Sequence, residues 1–428
     1  MKSPNNKIGW RVATALVIAN MIGTGVFTSL GFQLLDIQNT WSILILWLMG
    51  GAMALIGAFC YAEVGSNFEK SGGEYLFLSR LLHPLIGYLS GWVSLIIGFA
   101  APVALASMAL GAYFSNVLSI SPVLIAIMAI VMISLIHSFN LNVSSVFQSY
   151  ASWFKVLLIL LLILIGFYIS PEETAIDLSS SWTNEITSSS FAIAFVYVTY
   201  SYTGWNAAAY VIDEIDRPQI NLPKALIRGT LLVTFLYVLL QMMFLKHASL
   251  EELKGTLDIG HVYASNLMGS QGAKMINLLI SFFLISSISA MIWVGPRVSM
   301  AMGADYKIWR FLQMKNQKNI PVRAIWIQGV ISIIYVLTGT FESVLLYCGF
   351  ILQLSATLTV GSVFVLRKRK LSSSSFKSPF YPVLPLLFIL FSLWIFSYLI
   401  IDKPLEFFIG LFILGIGVAS YFVNKKYF

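Results

Sequence analysis

Residues 20–27 read NMIGTGVF and set two glycines around a threonine inside an apolar run from Val12 to Leu35. Each glycine in a helix interior costs about 1 kcal/mol relative to alanine. The spacing therefore predicts a helix that is interrupted at its middle. At an interruption, backbone groups lose their intrahelical partners. The N–H groups that open the second half-helix suit an anion, and the carbonyls that close the first half suit a cation. A second break is predicted at SYTGW, 201–205, inside the uncharged run Ser188–Ile212. A molecule with both charges on one carbon, an α-amino acid, matches such a pair. Its carboxylate is expected at the N–H groups of Thr24, Gly25 and their neighbours. Its ammonium is expected at carbonyls near Met21 and, across the site, near Tyr200, Ser201 and Thr203. The candidate substrate-binding residues are thus Met21, Ile22, Gly23, Thr24 and Gly25 on one break and Tyr200, Ser201 and Thr203 on the other. The competing reading of Gly23 and Gly25 is close packing of helices.

Lys155 is the second feature that points to chemistry. No Asp, Glu, Lys or Arg lies between Arg80 and Lys155, and the next fifteen residues, 156–170, are uncharged. Fifteen residues rise roughly 22 Å as a helix, short of a hydrocarbon core of about 30 Å. The helix must begin before Lys155, which places the ammonium inside the membrane, where it needs acceptors or must give up its proton. The alternative is a side chain that snorkels to the interface.

The elements that carry these residues follow from composition. The 428 residues are 58% hydrophobic and 10% charged, with mean hydropathy +0.85, against about 25% charged in a soluble domain. The chain reads as an all-α polytopic membrane protein. Twelve spans are predicted: 10–32, 41–65, 84–114, 121–139, 143–169, 188–212, 225–247, 274–302, 322–340, 343–366, 381–401 and 405–424. The breaks fall in the first and the sixth. Five helices per half force opposite topologies, so a 5+5 inverted repeat with two extra helices is expected. The whole chain, 1–428, forms one transmembrane domain, with repeat one over 8–170, repeat two over 186–370 and the extra helices over 381–424. The first apolar run lacks a small-residue cleavage site and is expected to remain as a membrane helix. With the N-terminus inside, all of the 26 Lys and Arg except Lys246, Lys254, Lys274 and Lys403 fall on the cytoplasmic side. That asymmetry puts both termini in the cytoplasm. The net charge of +8 is spread over short loops, which argues against a nucleic-acid partner. Basic 367–378 is expected as a cytoplasmic anchor beside membrane lipid.

Several motifs carry a resemblance. GTGVF, YAEVG at 61–65, KSGGEY at 70–75, the run 200–226 from YSYTGW to NLPKAL and SSISAMIWVGPRVSMAMGAD at 286–305 stand in order along the chain. In these the chain resembles the amino acid–polyamine–organocation superfamily, and within it bacterial relatives of the L-type amino acid transporters. The resemblance implies the LeuT-type fold and sodium-independent amino acid transport. It implies that Gly23, Thr24 and Gly25 bind the carboxylate and that Tyr200 gates the substrate. It also implies that Lys155 occupies the place of sodium, bonded to carbonyls of the first break and to a hydroxyl matched by Ser286, with Ser287 as second choice. The animal transporters attach a glycoprotein through a cysteine between helices 3 and 4. The corresponding segment, SNVLSISP at 115–122, has none, so no disulfide-linked heavy chain is expected, and the protein is a monomer or homo-oligomer.

No cofactor or metal is expected, since Cys60 and Cys348 fall in apolar segments and form no ligand set. A membrane enzyme would need paired intramembrane Asp residues, a Ser–His set or HExxH, and the chain has none. The short loop after the sixth span disfavours the major facilitator architecture. The centres of helices 1, 3, 6, 8 and 10 hold no acidic residue, which favours a neutral amino acid. A cationic amino acid, a polyamine or a non-transporting sensor on the same fold are the alternatives. Proton symport and exchange both remain open. Glu63 is expected to pair with a basic residue. Asp213, Glu214, Asp216 and Arg217 are candidates for gate ion pairs with Lys224, Arg228 or Arg11.

Overall fold

Backbone polar groups in lipid must be satisfied within a segment, and helices do this. The computed structural model describes residues 7–117, 119–139, 142–170, 181–318, 320–371 and 376–427, and every predicted span is helical there except at the breaks in the first and sixth. Nine helices among the described residues are long and apolar enough to cross a membrane, and three shorter apolar ones, Trp153–Tyr168, Ser189–Ser201 and Val322–Thr338, complete the set. The fold is that of an all-α polytopic membrane protein. Strongly exposed apolar side chains such as Leu157, Leu164, Phe167, Leu390 and Phe412 face outward, a surface suited to lipid.

The first span is two helices, Trp10–Met21 and Gly25–Gln33. The second, Thr40–Gly65, starts on Asn39, whose side chain accepts from the Trp41 N–H. A short helix, Gly73–Leu81, follows before the third span. The third span contains one π-helical turn, Ser94–Gly98, between Pro84–Val93 and Ala100–Ser115. The fourth and fifth are Pro122–Phe139 and Asn142–Tyr168.

The sixth span departs from the sequence expectation. Its first half, Ser189–Ser201, is α-helical, but beyond the break the chain makes turns and then a 3-10 segment, Ala207–Glu214. Gly204, at φ 100°, lets the chain reverse where a side chain is disfavoured. The seventh span is Pro218–His247. The eighth belongs to a helix longer than predicted, Ile259–Asp305, with a kink at Gly269, φ 67°. The polar stretch before residue 274 is therefore helical although too polar for the span itself. The ninth to twelfth are Val322–Thr338, Phe341–Lys368, Val383–Asp402 and Pro404–Tyr427.

Packing divides these helices into two groups. The first, second, sixth and seventh spans pack on one another, and so do the third, fourth, eighth and ninth. The fifth bridges the groups by touching the first, seventh and eighth. The functional cavity lies between them.

Candidate substrate site at the two helix breaks

The first break lies at residues 22–24, between the two half-helices. Carbonyls in and beside it are bonded by side chains from three other spans. The Tyr237 hydroxyl donates to the Met21 carbonyl at 2.6 Å. Gln241 Nε2 donates to the Val26 carbonyl at 3.0 Å, and the Tyr113 hydroxyl to the Phe27 carbonyl at 3.0 Å. Lys155 Nζ donates to the Ile22 carbonyl at 3.2 Å and reaches the Ala19 carbonyl at 3.5 Å. The same ammonium lies 5.2 Å from the centre of the Phe283 ring. Lys155 is buried, and among the described residues no carboxylate pairs with it.

The N–H side of the break differs. Among the described residues, no acceptor takes the N–H groups of Thr24 and Gly25. Both residues line a cavity of about 1050 Å³, together with Met21 and Gly23. A Cβ on Gly23 would meet only the Met21 carbonyl at 3.8 Å, so this glycine faces open space. Gly25 is different: a Cβ there would lie 2.4 Å from Ser201 Oγ and 2.6 Å from Ser201 Cα. Its small size lets the two breaks touch.

Across the cavity stand Tyr200, Ser201 and Thr203. Thr24 lies within hydrogen-bond reach of the Tyr200 hydroxyl. The Tyr200 carbonyl is taken by the Thr203 N–H at 2.9 Å and the Thr203 hydroxyl at 2.7 Å. The carbonyls of Ser201 and Thr203 accept no bond among the described residues. They, rather than the Tyr200 carbonyl, are the free acceptors on this side. Ile22 and Lys155 sit behind the break, outside the cavity wall. Ser286 is buried one turn after Phe283 on the same helix, and Ser287 reaches the cavity while its hydroxyl donates to the Phe283 carbonyl at 3.2 Å.

One end of the cavity is lined largely by exposed residues and is open. There its walls are Ile8, Arg11, Val12, Glu214 and Arg297. At the other end the breaks are sealed. Ser201 Oγ bonds Ser29 Oγ at 2.9 Å, Gln33 bonds Ser29 and Trp47 at 3.1 and 2.9 Å, and Phe32 stacks on Phe341 with centroids 5.5 Å apart. Beyond them the Tyr197 hydroxyl and Lys403 both bond Glu342, at 2.8 and 2.9 Å.

The other charged candidates fare unequally. Glu63 pairs with Arg367 through two bonds of 2.7 and 2.8 Å and accepts the Ser378 N–H. No ion pair among the described residues joins Asp213, Glu214, Asp216 or Arg217 to Arg11, Lys224 or Arg228. Arg228 and Arg11 lie over the Trp10 ring instead, and Asp213 accepts from Ser71. Part of the basic tract, residues 372–375, lies outside the described residues.

One residue amends the sequence reading of an apolar pocket. Glu74, on the short helix between the second and third spans, reaches the cavity wall. Burial pushes its carboxyl above the usual carboxylate range, against hydrogen bonds from Ser355, Tyr61 and Asn206 that pull it down. The sequence places Glu74 in a connecting loop, and only the fold turns it inward.

These features define a class: a multi-pass membrane transporter with two broken helices around one site. The chain belongs to the amino acid permease family, whose model matches residues 8–419. It is 28% identical to the serine/threonine exchanger SteT of Bacillus subtilis (strain 168), over 98% of this chain and 97% of that protein. It is 25% identical to the b(0,+)-type amino acid transporter 1 of Mus musculus, over 99% and 89% respectively. Identity to the large neutral amino acids transporter small subunit 2 of Mus musculus is also 25%, over 98% and 81%. The chain is an amino acid transporter and not an enzyme.

Proposed function

We propose that this protein carries neutral L-amino acids across the cell membrane without sodium, by alternating access to one site between the two breaks. The observation that carries the reading is the pairing of unfilled groups across one cavity. The N–H groups of Thr24 and Gly25 lack acceptors on one wall, and the Ser201 and Thr203 carbonyls lack donors on the other. A carboxylate and an ammonium on one carbon satisfy both sets. Tyr200 stands beside Thr24 and is the gate over the substrate.

Lys155 sets its amino group behind the first break, where it bonds carbonyls that would otherwise suit a sodium ion. The side-chain end of the cavity is lined by Gly98, Phe99, Met291 and Leu352, which favours neutral side chains. The names of the relatives include serine, threonine and large neutral amino acids, which supports the same class. With both termini in the cytoplasm, the open end faces inward and the Phe32–Phe341 seal faces outward. Exchange and proton symport both fit this site, and the exchanger named among the relatives favours exchange. The two cysteines are buried, which supports a transporter without a disulfide-linked partner. The two halves, 8–170 and 186–370, act as inverted repeats around the site.

Uptake of labelled L-serine, L-threonine and L-leucine into proteoliposomes tests this reading. Uptake of at least one is expected, stimulated by internal unlabelled substrate or by a proton gradient and unchanged when external sodium is replaced by potassium. Strict sodium dependence, or no uptake of any of them, contradicts it.

A further inference from the structure

The transport reading leaves one buried ionisable group of the cavity without a task. Glu74 opens the short helix Gly73–Leu81 and is 7% exposed. Two positive-φ glycines, Gly72 and Gly73, turn the chain into this helix. A Cβ on Gly73 would lie 2.5 Å from the Tyr210 ring, so the missing side chain lets the helix press against the segment after the second break.

The carboxyl oxygens then meet three other elements. Oε1 accepts from the Tyr61 hydroxyl of the second span and from Asn206 Nδ2 at 2.9 Å, and Oε2 accepts from the Ser355 hydroxyl of the tenth span at 2.5 Å. Asn206 belongs to the non-helical turn of the sixth span. Glu74 therefore ties that turn to two other spans.

Among the described residues no cation pairs with the carboxyl. Tyr61 faces it from the second span and Tyr210 from the sixth. The charges of the second and tenth spans nearest the same end, Glu63 and Arg367, are bonded to each other. In the neighbouring helix Pro84–Val93 the titratable residue is Tyr88, which bonds Ser420 and Trp309. On Glu74's own helix, Tyr75 bonds Asp305, and Arg80 at its far end is exposed and in no ion pair among the described residues. A buried carboxylate with only neutral donors is costly, and holding a proton removes the cost. The cluster can take that proton without losing a bond, because the Ser355 hydroxyl can reverse and accept from Oε2–H.

We propose that Glu74 is a proton-binding site of the transport cycle, neutral while it holds the sixth-span turn and ionised when that turn withdraws. The inference rests on the transport reading of the same cavity. When Asn206 leaves, water from the cavity takes its place at Oε1, and the hydrated carboxyl gives its proton to that water and becomes a carboxylate. The return step takes a proton back from water before the cluster reforms. Raising the pH on the open side favours the ionised form, opposes reassembly and slows the cycle.

The test is exchange of the labelled amino acid with highest wild-type uptake, in proteoliposomes of known orientation, with pH varied on the open side. Wild-type exchange is expected to fall as pH rises, with a limiting slope of about tenfold per pH unit for one proton. Glu74→Gln should flatten the profile, and Lys155→Arg should leave the slope in place. Ser355→Ala removes a donor to the carboxylate and should move the midpoint to higher pH, which keeps the test decisive if Glu74→Gln does not fold. A Glu74→Gln profile with the wild-type slope, an unmoved midpoint in Ser355→Ala, or a flat wild-type profile overturns the proposal. Absence of any wild-type uptake, with or without internal substrate or a proton gradient, instead overturns the transport reading.

Discussion

In the proposed function the Lys155 side chain takes the place of an ion. Its ammonium is buried against the Ile22 carbonyl at 3.2 Å and the Phe283 ring, and it lies outside the substrate cavity. A lysine near a helix centre costs roughly 2.5–3.5 kcal/mol to insert, so its carbonyl contacts must return something in stability or function. Lys155→Ala leaves the Ile22 carbonyl buried without a donor, a cost of about 1–3 kcal/mol. We expect this variant to insert normally and to lose uptake by at least about tenfold, the equivalent of 1.4 kcal/mol. Full uptake by a well-expressed Lys155→Ala protein would reduce the lysine to an anchor. This residue was legible in the sequence, because a single charge in a long uncharged stretch has few benign explanations. Tyr237, Gln241 and Tyr113 were not. Each is one polar residue in an apolar span, and its role depends on a carbonyl 86 to 216 positions away. Glu74 was hidden for the same reason, since its partners lie on three separate elements.

At the scale of elements, the two breaks set the geometry. Both were legible because glycine interrupts apolar helices for a local reason. What lies beyond the second break was not: the sequence pattern suggests a continued helix, and the chain forms turns and a 3-10 segment. The same stretch supplies Thr203, Trp205 and Asn206 to the cavity wall. The roles of the two glycines also separate only in three dimensions. Gly23 faces open space, while Gly25 lets Ser201 approach. Gly25→Val would drive the two breaks apart, and overpacking of this kind costs about 1–3 kcal/mol, or roughly 5- to 150-fold in an equilibrium. Uptake by the variant should fall by that order while surface expression persists. Gly23→Ala should insert and fold like the wild type, and substrate binding should register any loss. Unimpaired transport by Gly25→Val would show that contact between the breaks is dispensable.

At the scale of the molecule, the same helices hold a cavity open at one end and a stacked aromatic seal at the other. The two groups of four spans meet around this cavity, through the fifth span and where the eighth span touches the first and seventh, so relative motion of the groups can exchange the open and sealed ends. The Glu63–Arg367 pair joins the second and tenth spans, with Glu63 fully buried. Arg367→Ala leaves that carboxylate with the Ser378 N–H alone, and removal of one partner from a buried pair costs about 3–5 kcal/mol. Arg367 is 23% exposed, so the lower part of that range is expected, read as a lower melting temperature in detergent. An unchanged melting temperature would mean that the carboxylate finds other partners or a proton. The central claim is that one site reads both charges of an α-amino acid, and competition for uptake tests it most directly. The intact neutral amino acid should compete, whereas its α-amide, its N-acetyl derivative and the decarboxylated amine should each fail, because each leaves one wall of the cavity unfilled. Equal competition by the decarboxylated amine would contradict the assignment of Thr24 and Gly25 to the carboxylate, and equal competition by the N-acetyl derivative would contradict that of Ser201 and Thr203 to the ammonium.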